Sequence, residues 1–274
     1  MPQSPPDHLH RRFVLGMVGA GAAMMALPWR AMAATRIDPA LDRVFEDHGL
    51  SGCFVAMDAE TGRLTLSDAV RCRIAHVPAS SFKIANSLIA LDTGAVHDEA
   101  EIIPYGGGPQ PIAAWAHDMS MRDAIRVSNV PVYQQLARRI GIDRYHTWLE
   151  RFDYGNRQIG ADVARFWLDG PLRISPVEQA RFLARLACQQ LPASPRHQHV
   201  VRDMLWIETK NGRCLYAKTG FTSADGISSA WWVGWVEHAR ARHAFALHVL
   251  GSPMEARDAR IALGRALLAR LKLY

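Results

Sequence analysis

The 274-residue sequence predicts an α/β (α+β) fold. An antiparallel sheet is built from both ends of the chain and flanked by helices, with a mostly helical region inserted between. Three observations carry this expectation. Short apolar strand patterns occur early, at 53–58 and 64–66, and again late, at 215–219, 230–236 and 244–250. Helical patterns with capping signals and prolines fill the interval. Past residue 33 neither an internal repeat nor a low-complexity linker divides the chain, so the two strand groups are expected to share one sheet. The sheet is assigned to about 34–75 and 212–274, and the helical region to about 76–211.

The first 33 residues read as a cleavable export signal, separate from the 34–274 domain. Arg11 and Arg12 precede an apolar run over 13–27, then Pro28 and the small-x-small triplet Ala31-Met32-Ala33. A run of that length is shorter than the roughly 20 residues that span a bilayer. The paired arginines followed by Phe13 suit a twin-arginine signal, and a general secretory signal carries the same features. Either route predicts a periplasmic or secreted protein that leaves the membrane once the signal is removed.

Next come two strands, 53–58 and 64–66, joined by the turn Glu60-Thr61-Gly62-Arg63. Pairing about that turn sets Cys53 opposite Cys72, so a cross-hairpin disulfide is expected. A bulge near Ser67-Asp68 would break that register. Cys188 and Cys214 are expected as unpaired thiols in a helix and a strand.

A helix from Ser80 to about Leu91 is apolar on nearly every face and is expected at the centre of the core. Gly94 supplies its C-terminal stop. Gly106-Gly107-Gly108-Pro109 lacks the lysine and following helix of a phosphate loop and reads as a plain loop. Ser120 caps a helix with Asp123, and Pro131 breaks it after Ser128-Asn129-Val130 and starts another that ends at Gly141. Ser175-Pro176-Val177-Glu178 is a full capping box opening a helix to about Gln190. An amphipathic helix over 256–273 closes the chain.

Composition narrows the function. The chain is 49% hydrophobic and 21% charged, ordinary for a globular protein. Its net charge of +6 is scattered arginine without a nucleic-acid-binding motif, so no nucleic acid partner is expected. Twelve histidines include one close pair past the signal, His197-Gln198-His199, and no HExxH, so no metal site is expected. Only four lysines occur: Lys83, Lys210, Lys218 and Lys272. Arginine keeps its proton, whereas a buried lysine can lose it. A lysine in the apolar stretch three residues after Ser80 therefore suggests chemistry that needs a neutral amine.

Residues i and i+3 share a helix face, so Ser80 and Lys83 can meet. A serine becomes a nucleophile when a neighbouring base takes its proton. An ordinary lysine, with its pKa near 10.4, is charged at neutral pH and cannot be that base, but burial lowers the value. Taken alone, Ser-x-x-Lys is better read as a helix cap beside a snorkelling lysine. Ser128-Asn129-Val130 alone is better read as a turn, and Lys218-Thr219-Gly220 alone is a weak signal that also describes an edge strand. On the functional reading, Lys218 and Thr219 grip a substrate carboxylate while Gly220 lets the substrate backbone approach.

Together and in this order, Ser-x-x-Lys, Ser-x-Val and Lys-Thr-Gly resemble the signature of the penicillin-recognising serine enzymes. Tyr154-Gly155-Asn156, Phe166-Trp167-Leu168 and Trp231-Trp232-Val233-Gly234-Trp235-Val236 narrow the resemblance to the class D, oxacillinase-type β-lactamases. It runs from about Cys53 to the C-terminus. Ser81 and Ala85 depart from the commoner threonine and proline without removing a functional group.

The resemblance implies the fold of those enzymes and hydrolysis of β-lactam small molecules, which underlies antibiotic resistance. It makes Ser80 the acylated nucleophile and Lys83 a carbamylated base (N6-carboxylysine) formed with carbon dioxide or bicarbonate, with no other cofactor. Trp167 holds the carbamate, and Ser128 and Lys218 relay a proton to the leaving nitrogen. Backbone N–H groups of Ser80 and Phe221 form the oxyanion hole. Val130 and Leu168 border the carbamate and the hydrolytic water. Arg260 receives the substrate carboxylate, with Arg257 on the same helix face as the alternative. Two other activities share the serine–lysine site: a penicillin sensor that acylates without turnover, and a cell-wall peptidase. The sensor normally sits behind a permanent anchor, and the peptidase lacks the tryptophan matched by Trp167.

Overall fold

A computed structural model describes residues 34–224 and 227–274. The expected export signal lies outside the described residues. The chain begins with β1 (Thr35–Ile37), α1 (Pro39–Asp47), β2 (Ser51–Asp58) and β3 (Leu64–Leu66). The central stretch holds α2 (Lys83–Asp92), a small ribbon of β4 (Ile102–Ile103) and β5 (Met119–Ser120), then α3 (Met121–Arg126), α4 (Val130–Ile140), α5 (Ile142–Phe152), α6 (Pro176–Ala187) and α7 (Pro195–Met204). It returns through β6 (Trp206–Lys210), β7 (Arg213–Ala224), β8 (Ile227–His238) and β9 (Ala241–Gly251) to α8 (Pro253–Arg270).

Seven strands form one sheet in the order β1-β3-β2-β9-β8-β7-β6. Both ends of the chain therefore meet at the β2–β9 pair, as the strand patterns predict. All pairs are antiparallel except β1–β3, which is parallel at one edge. The sheet also takes in β6, ahead of its expected start near 212, because Trp206 and the residues after it pair with β7.

The sheet separates two apolar cores. One face packs against the helical region, with Trp231, Val233 and Trp235 of β8 pointing into it. Ala230, Trp232 and Val236 point the other way, against α1 and α8. This period-two alternation in an all-apolar strand is what a sheet covered on both faces requires. Each fully buried side chain of this size contributes roughly 1.5–3 kcal/mol.

Capping accounts for the helix starts. Ser175 Oγ accepts the Glu178 backbone N–H, and Glu178 Oε2 accepts the Ser175 N–H at 2.7 Å, completing the capping box. Asn129 Oδ1 accepts the Val132 N–H at 2.9 Å, so α4 starts one residue before Pro131. The helix expected from Ser80 differs: a 3-10 turn over Ala79–Phe82 precedes α2, which begins at Lys83. From Lys83 to Leu91, α2 is buried on every side.

The expected disulfide is absent, and all four cysteines are free. β3 is only three residues long and pairs Val55 with Leu66, four positions off the register that would oppose Cys53 and Cys72 on paired strands, yet the two thiols still meet as hydrogen-bond partners. After Leu66, Ser67 Oγ accepts the Phe54 N–H, and Asp68 Oδ1 accepts the N–H groups of Val70 and Arg71, turning the chain into a 3-10 turn. Cys72 sits in that turn and donates its thiol to Phe54 O at 3.5 Å. Cys188 and Cys214 are half-buried; Cys188 lies against Ala59 O and Cys214 against Thr209.

Candidate active site

Ser80 lies in the 3-10 turn, and three residues per turn eclipse positions i and i+3. Lys83 Nζ accordingly donates to Ser80 Oγ at 2.8 Å. Ala79, just before the serine, has φ +49°, a left-handed conformation that costs a non-glycine residue about 1–2 kcal/mol. Several bonds hold this turn in place. Ser81 donates both its N–H (3.1 Å) and its hydroxyl (2.7 Å) to Pro78 O. Gln179 Nε2 on α6 donates to Ser81 Oγ at 2.8 Å, and the Trp231 indole donates to Val77 O at 2.8 Å.

Gly220 also belongs to this turn's support. A Cβ there would meet Pro78 O at 2.9 Å, Ser81 N at 3.1 Å and the Trp231 Cβ at 3.2 Å. Its missing side chain lets β7 close on the Ser80 turn, whereas the sequence suggested room for a substrate backbone. Residues 219–221 are thereby seated beside Ser80.

Lys83 is wholly buried. Its Nζ lies 5.1 Å from the centroid of the Tyr133 ring. Phe82 next to it packs on Trp167, Phe166, Tyr145 and Tyr154 at 5.1–6.1 Å between ring centroids. Among the described residues no carboxylate pairs with this ammonium. Desolvation, followed by the charge of Lys218, holds Lys83 well below the usual lysine range. Trp167, also fully buried, has an indole N–H without a hydrogen-bond partner. A buried donor left unpaired costs about 1–3 kcal/mol, so this one marks a place for an acceptor.

The other arm lies along β7. Lys218 Nζ donates to Ser128 Oγ and, at 2.9 Å, to Thr219 O. Ser128 sits between α3 and α4 with φ +54°, a kink that turns its hydroxyl towards β7. Burial, then the charge of Arg260, brings the Lys218 pKa down to about 7. Arg260 and Arg257 differ sharply. Arg257 is exposed and bonded to Asp258 at 2.8 Å. Arg260 is half-buried, its Nε is buried without a partner, and its charge reaches Lys218. Its own pKa is lowered by burial and then by Arg257.

A cavity of about 320 Å³ opens beside this arm, lined among others by Ile125, Arg126, Trp206, Lys218 and Thr219. Thr219 and Phe221 are half-buried on β7, and Phe221 packs its ring on the core beneath α1 and α8. Val130 is half-buried in the first turn of α4, and Leu168 packs on the helical-side core next to Trp167. The structure thus brings Ser80 and Lys83 together, and Lys218, Ser128 and Arg260 together, with β7 joining the groups. It sets Arg257 outside.

Sequence reasoning missed the Tyr133 ring over Lys83 and the Gln179 bond to Ser81. The one signal for Tyr133 is its place on the apolar face of α4, which points to burial and nothing more specific. Among the described residues no group of three or more histidine, cysteine or acidic side chains is close enough to hold a metal ion. His197 of the one close histidine pair is bonded to Asp92.

Comparison with known proteins agrees with this geometry. Residues 52–269 match the family described as the penicillin-binding protein transpeptidase domain. β-Lactamase OXA-5 of Pseudomonas aeruginosa is 39% identical over 213 residues, 77% of this chain and 80% of the relative. β-Lactamase OXA-48 of Klebsiella pneumoniae is 40% identical over 193 residues, 70% and 73%. The crystal structure of FUS-1 (OXA-85), a class D β-lactamase from Fusobacterium nucleatum subsp. polymorphum, superposes with a TM-score of 0.83 at 33% identity, covering 87% of this chain and 99% of that one. The class D β-lactamase YbXI from Nostoc gives a TM-score of 0.82 at 35% identity, covering 85% and 99%. The chain belongs to the penicillin-binding protein transpeptidase family and, within it, to the class D serine β-lactamases.

Proposed function

We propose that the protein hydrolyses β-lactam antibiotics through an acyl-enzyme on Ser80, with Lys83 carbamylated as general base for both acylation and deacylation. The observation that carries this reading is a sealed, neutral-prone lysine next to Phe82, on whose ring packs Trp167 with an unpartnered indole N–H. A neutral amine adds carbon dioxide and releases a proton, and the resulting carbamate is a base at neutral pH held by Trp167 as hydrogen-bond donor.

Ser80 loses its proton within this corner and attacks the β-lactam carbonyl. The N–H groups of Ser80 and Phe221 receive the developing oxyanion, each worth about 3–4 kcal/mol of barrier. Ser128 passes a proton to the departing ring nitrogen and is recharged from Lys218, whose pKa near 7 suits that exchange. Lys218, Thr219 and Arg260 bind the substrate carboxylate. Val130 and Leu168 border the water that then releases the acyl group from Ser80. Export to the periplasm or beyond, expected from residues 1–33, would place this activity where it protects a cell from antibiotic.

Turnover of a penicillin at mildly acidic pH, with and without bicarbonate, tests the reading. Falling pH protonates the Lys83 amine, so activity should fall and added bicarbonate should restore it. A single stoichiometric burst without further turnover would identify a sensor. Multiple turnovers indifferent to bicarbonate would identify a different base.

A further inference from the structure

The loop that carries Trp167 runs from Asp153 to Ser175, between α5 and α6, without a helix or a paired strand except one bridge of Ile174 with His76. Connections this long and irregular are usually functional, and their shape rests on individual bonds. Most of those bonds are internal to the loop or reach helices. Leu168 N–H donates to Arg165 O at 2.8 Å, Leu172 N–H to Phe166 O at 3.2 Å, and Gln134 Nε2 of α4 to Ala164 O at 3.2 Å. One side-chain bond comes from the substrate-binding strand: Thr222 Oγ1 donates to Leu168 O at 3.1 Å. Thr222 directly follows Phe221, and its partner directly follows Trp167.

We propose that Thr222 is a positioning residue. By holding Leu168 O against β7, it sets where the Trp167 indole N–H points and so how firmly Lys83 retains carbon dioxide. The inference rests on the carbamate reading above. A threonine suits the role because its branched Cβ stiffens the strand position while its hydroxyl reaches the loop. The bond also locks the strand residue beside the oxyanion donor to the loop residue beside the carbamate holder, so neither arm of the site shifts without the other.

Valine keeps the shape of threonine and removes the donor, whereas serine keeps the donor. The test titrates ¹³C-labelled bicarbonate into the folded enzyme and reads the carbamate signal by NMR. Thr222→Val should raise the bicarbonate concentration for half-maximal carbamylation about fivefold, the effect of one neutral hydrogen bond. Thr222→Ser should stay within about twofold of the parent. Should the valine variant fail to fold, Thr222→Ala takes its place with the same expectation. Parent-like bicarbonate affinity in the variant lacking the hydroxyl, or a serine variant as weak as valine, overturns the role of Thr222. Absence of any carbamate signal in the parent overturns the reading beneath it instead.

Discussion

Lys83 and Lys218 are the same side chain in two surroundings, and the contrast bears on the proposed division between base chemistry and proton delivery. Both are buried and both are driven below the ordinary lysine range. Lys83 faces the Tyr133 ring, bonds the Ser80 hydroxyl, and follows Phe82, whose ring packs on Trp167 with its unpartnered donor. Lys218 bonds Ser128 and a backbone carbonyl, and borders a cavity beside Arg260. Burial alone therefore does not assign a role. On the proposed mechanism the hydrogen-bond partners do, because they decide whether losing the charge leaves a site for carbon dioxide or merely releases a proton to a waiting serine.

Removing each amine is the severest way to break this contrast. Lys83→Ala should lower kcat by about 10³-fold or more, since a positioned base contributes up to about 10⁴. Bicarbonate should restore nothing, because no amine remains to capture carbon dioxide. Lys218→Ala should cost about 10²-fold and leave the bicarbonate response intact. Steady-state rates of the two variants across a bicarbonate series provide the check. Equal losses, or a bicarbonate response in the first variant, would merge the two roles.

The pH profile sharpens the same contrast with a smaller effect. Lys218 loses its proton as pH rises through about 7, so proton delivery to the leaving nitrogen weakens on the alkaline side. Arginine keeps its proton throughout. Lys218→Arg should therefore move the alkaline limb of the acylation rate upwards by at least about one pH unit, while the acidic limb set by Lys83 stays where it is. Stopped-flow acylation with a chromogenic cephalosporin, measured from pH 5 to 9, reads both limbs. An unmoved alkaline limb would detach Lys218 from the relay.

What the sequence revealed divides along the same line. Ser80 with Lys83, and Lys218 with Thr219 and Gly220, are neighbours in the chain, so local geometry places them and their order carries the family resemblance. The Tyr133 ring over Lys83 and the Trp167 ring against Phe82 come from 50 and 84 positions beyond Lys83, and only packing unites them. Gly220 was legible as a glycine position, but its reason, the turn at Pro78–Ser81, lies some 140 residues away. The disulfide expectation failed for a related reason. It assumed that an ideal hairpin continues past Leu66, whereas Ser67 and Asp68 bond backbone N–H groups and end the strand, so Cys72 meets Cys53 from a 3-10 turn, as a free thiol beside a free thiol. α5 and α7 are read from the structure alone: α5 starts after Gly141 without a side-chain cap, whereas α7 opens on Ser194-Pro195, a start signal that was present in the sequence and went unread.

Arg260 and Arg257 give the smallest and most local break in the comparison. Three residues apart on α8, they share a helix face, with Arg260 the expected partner for the substrate carboxylate and Arg257 the alternative. The structure separates them by what each already satisfies. Arg257 spends its guanidinium on Asp258 in open solvent, where an ion pair contributes at most about 1 kcal/mol. Arg260 is half-buried near Lys218 with an unpartnered Nε, so an incoming carboxylate would satisfy both its charge and its donor. A charge-assisted bond of that kind contributes about 1.5–3 kcal/mol, roughly 10- to 100-fold in binding. Arg260→Ala should accordingly raise KM at least about tenfold for a carboxylate-bearing penicillin with little change in kcat, whereas Arg257→Ala should stay within about twofold. A substrate analogue esterified at that carboxylate should lose the difference between parent and Arg260→Ala. If the ester preserves it, Arg260 acts on the electrostatics of Lys218 and not on the substrate.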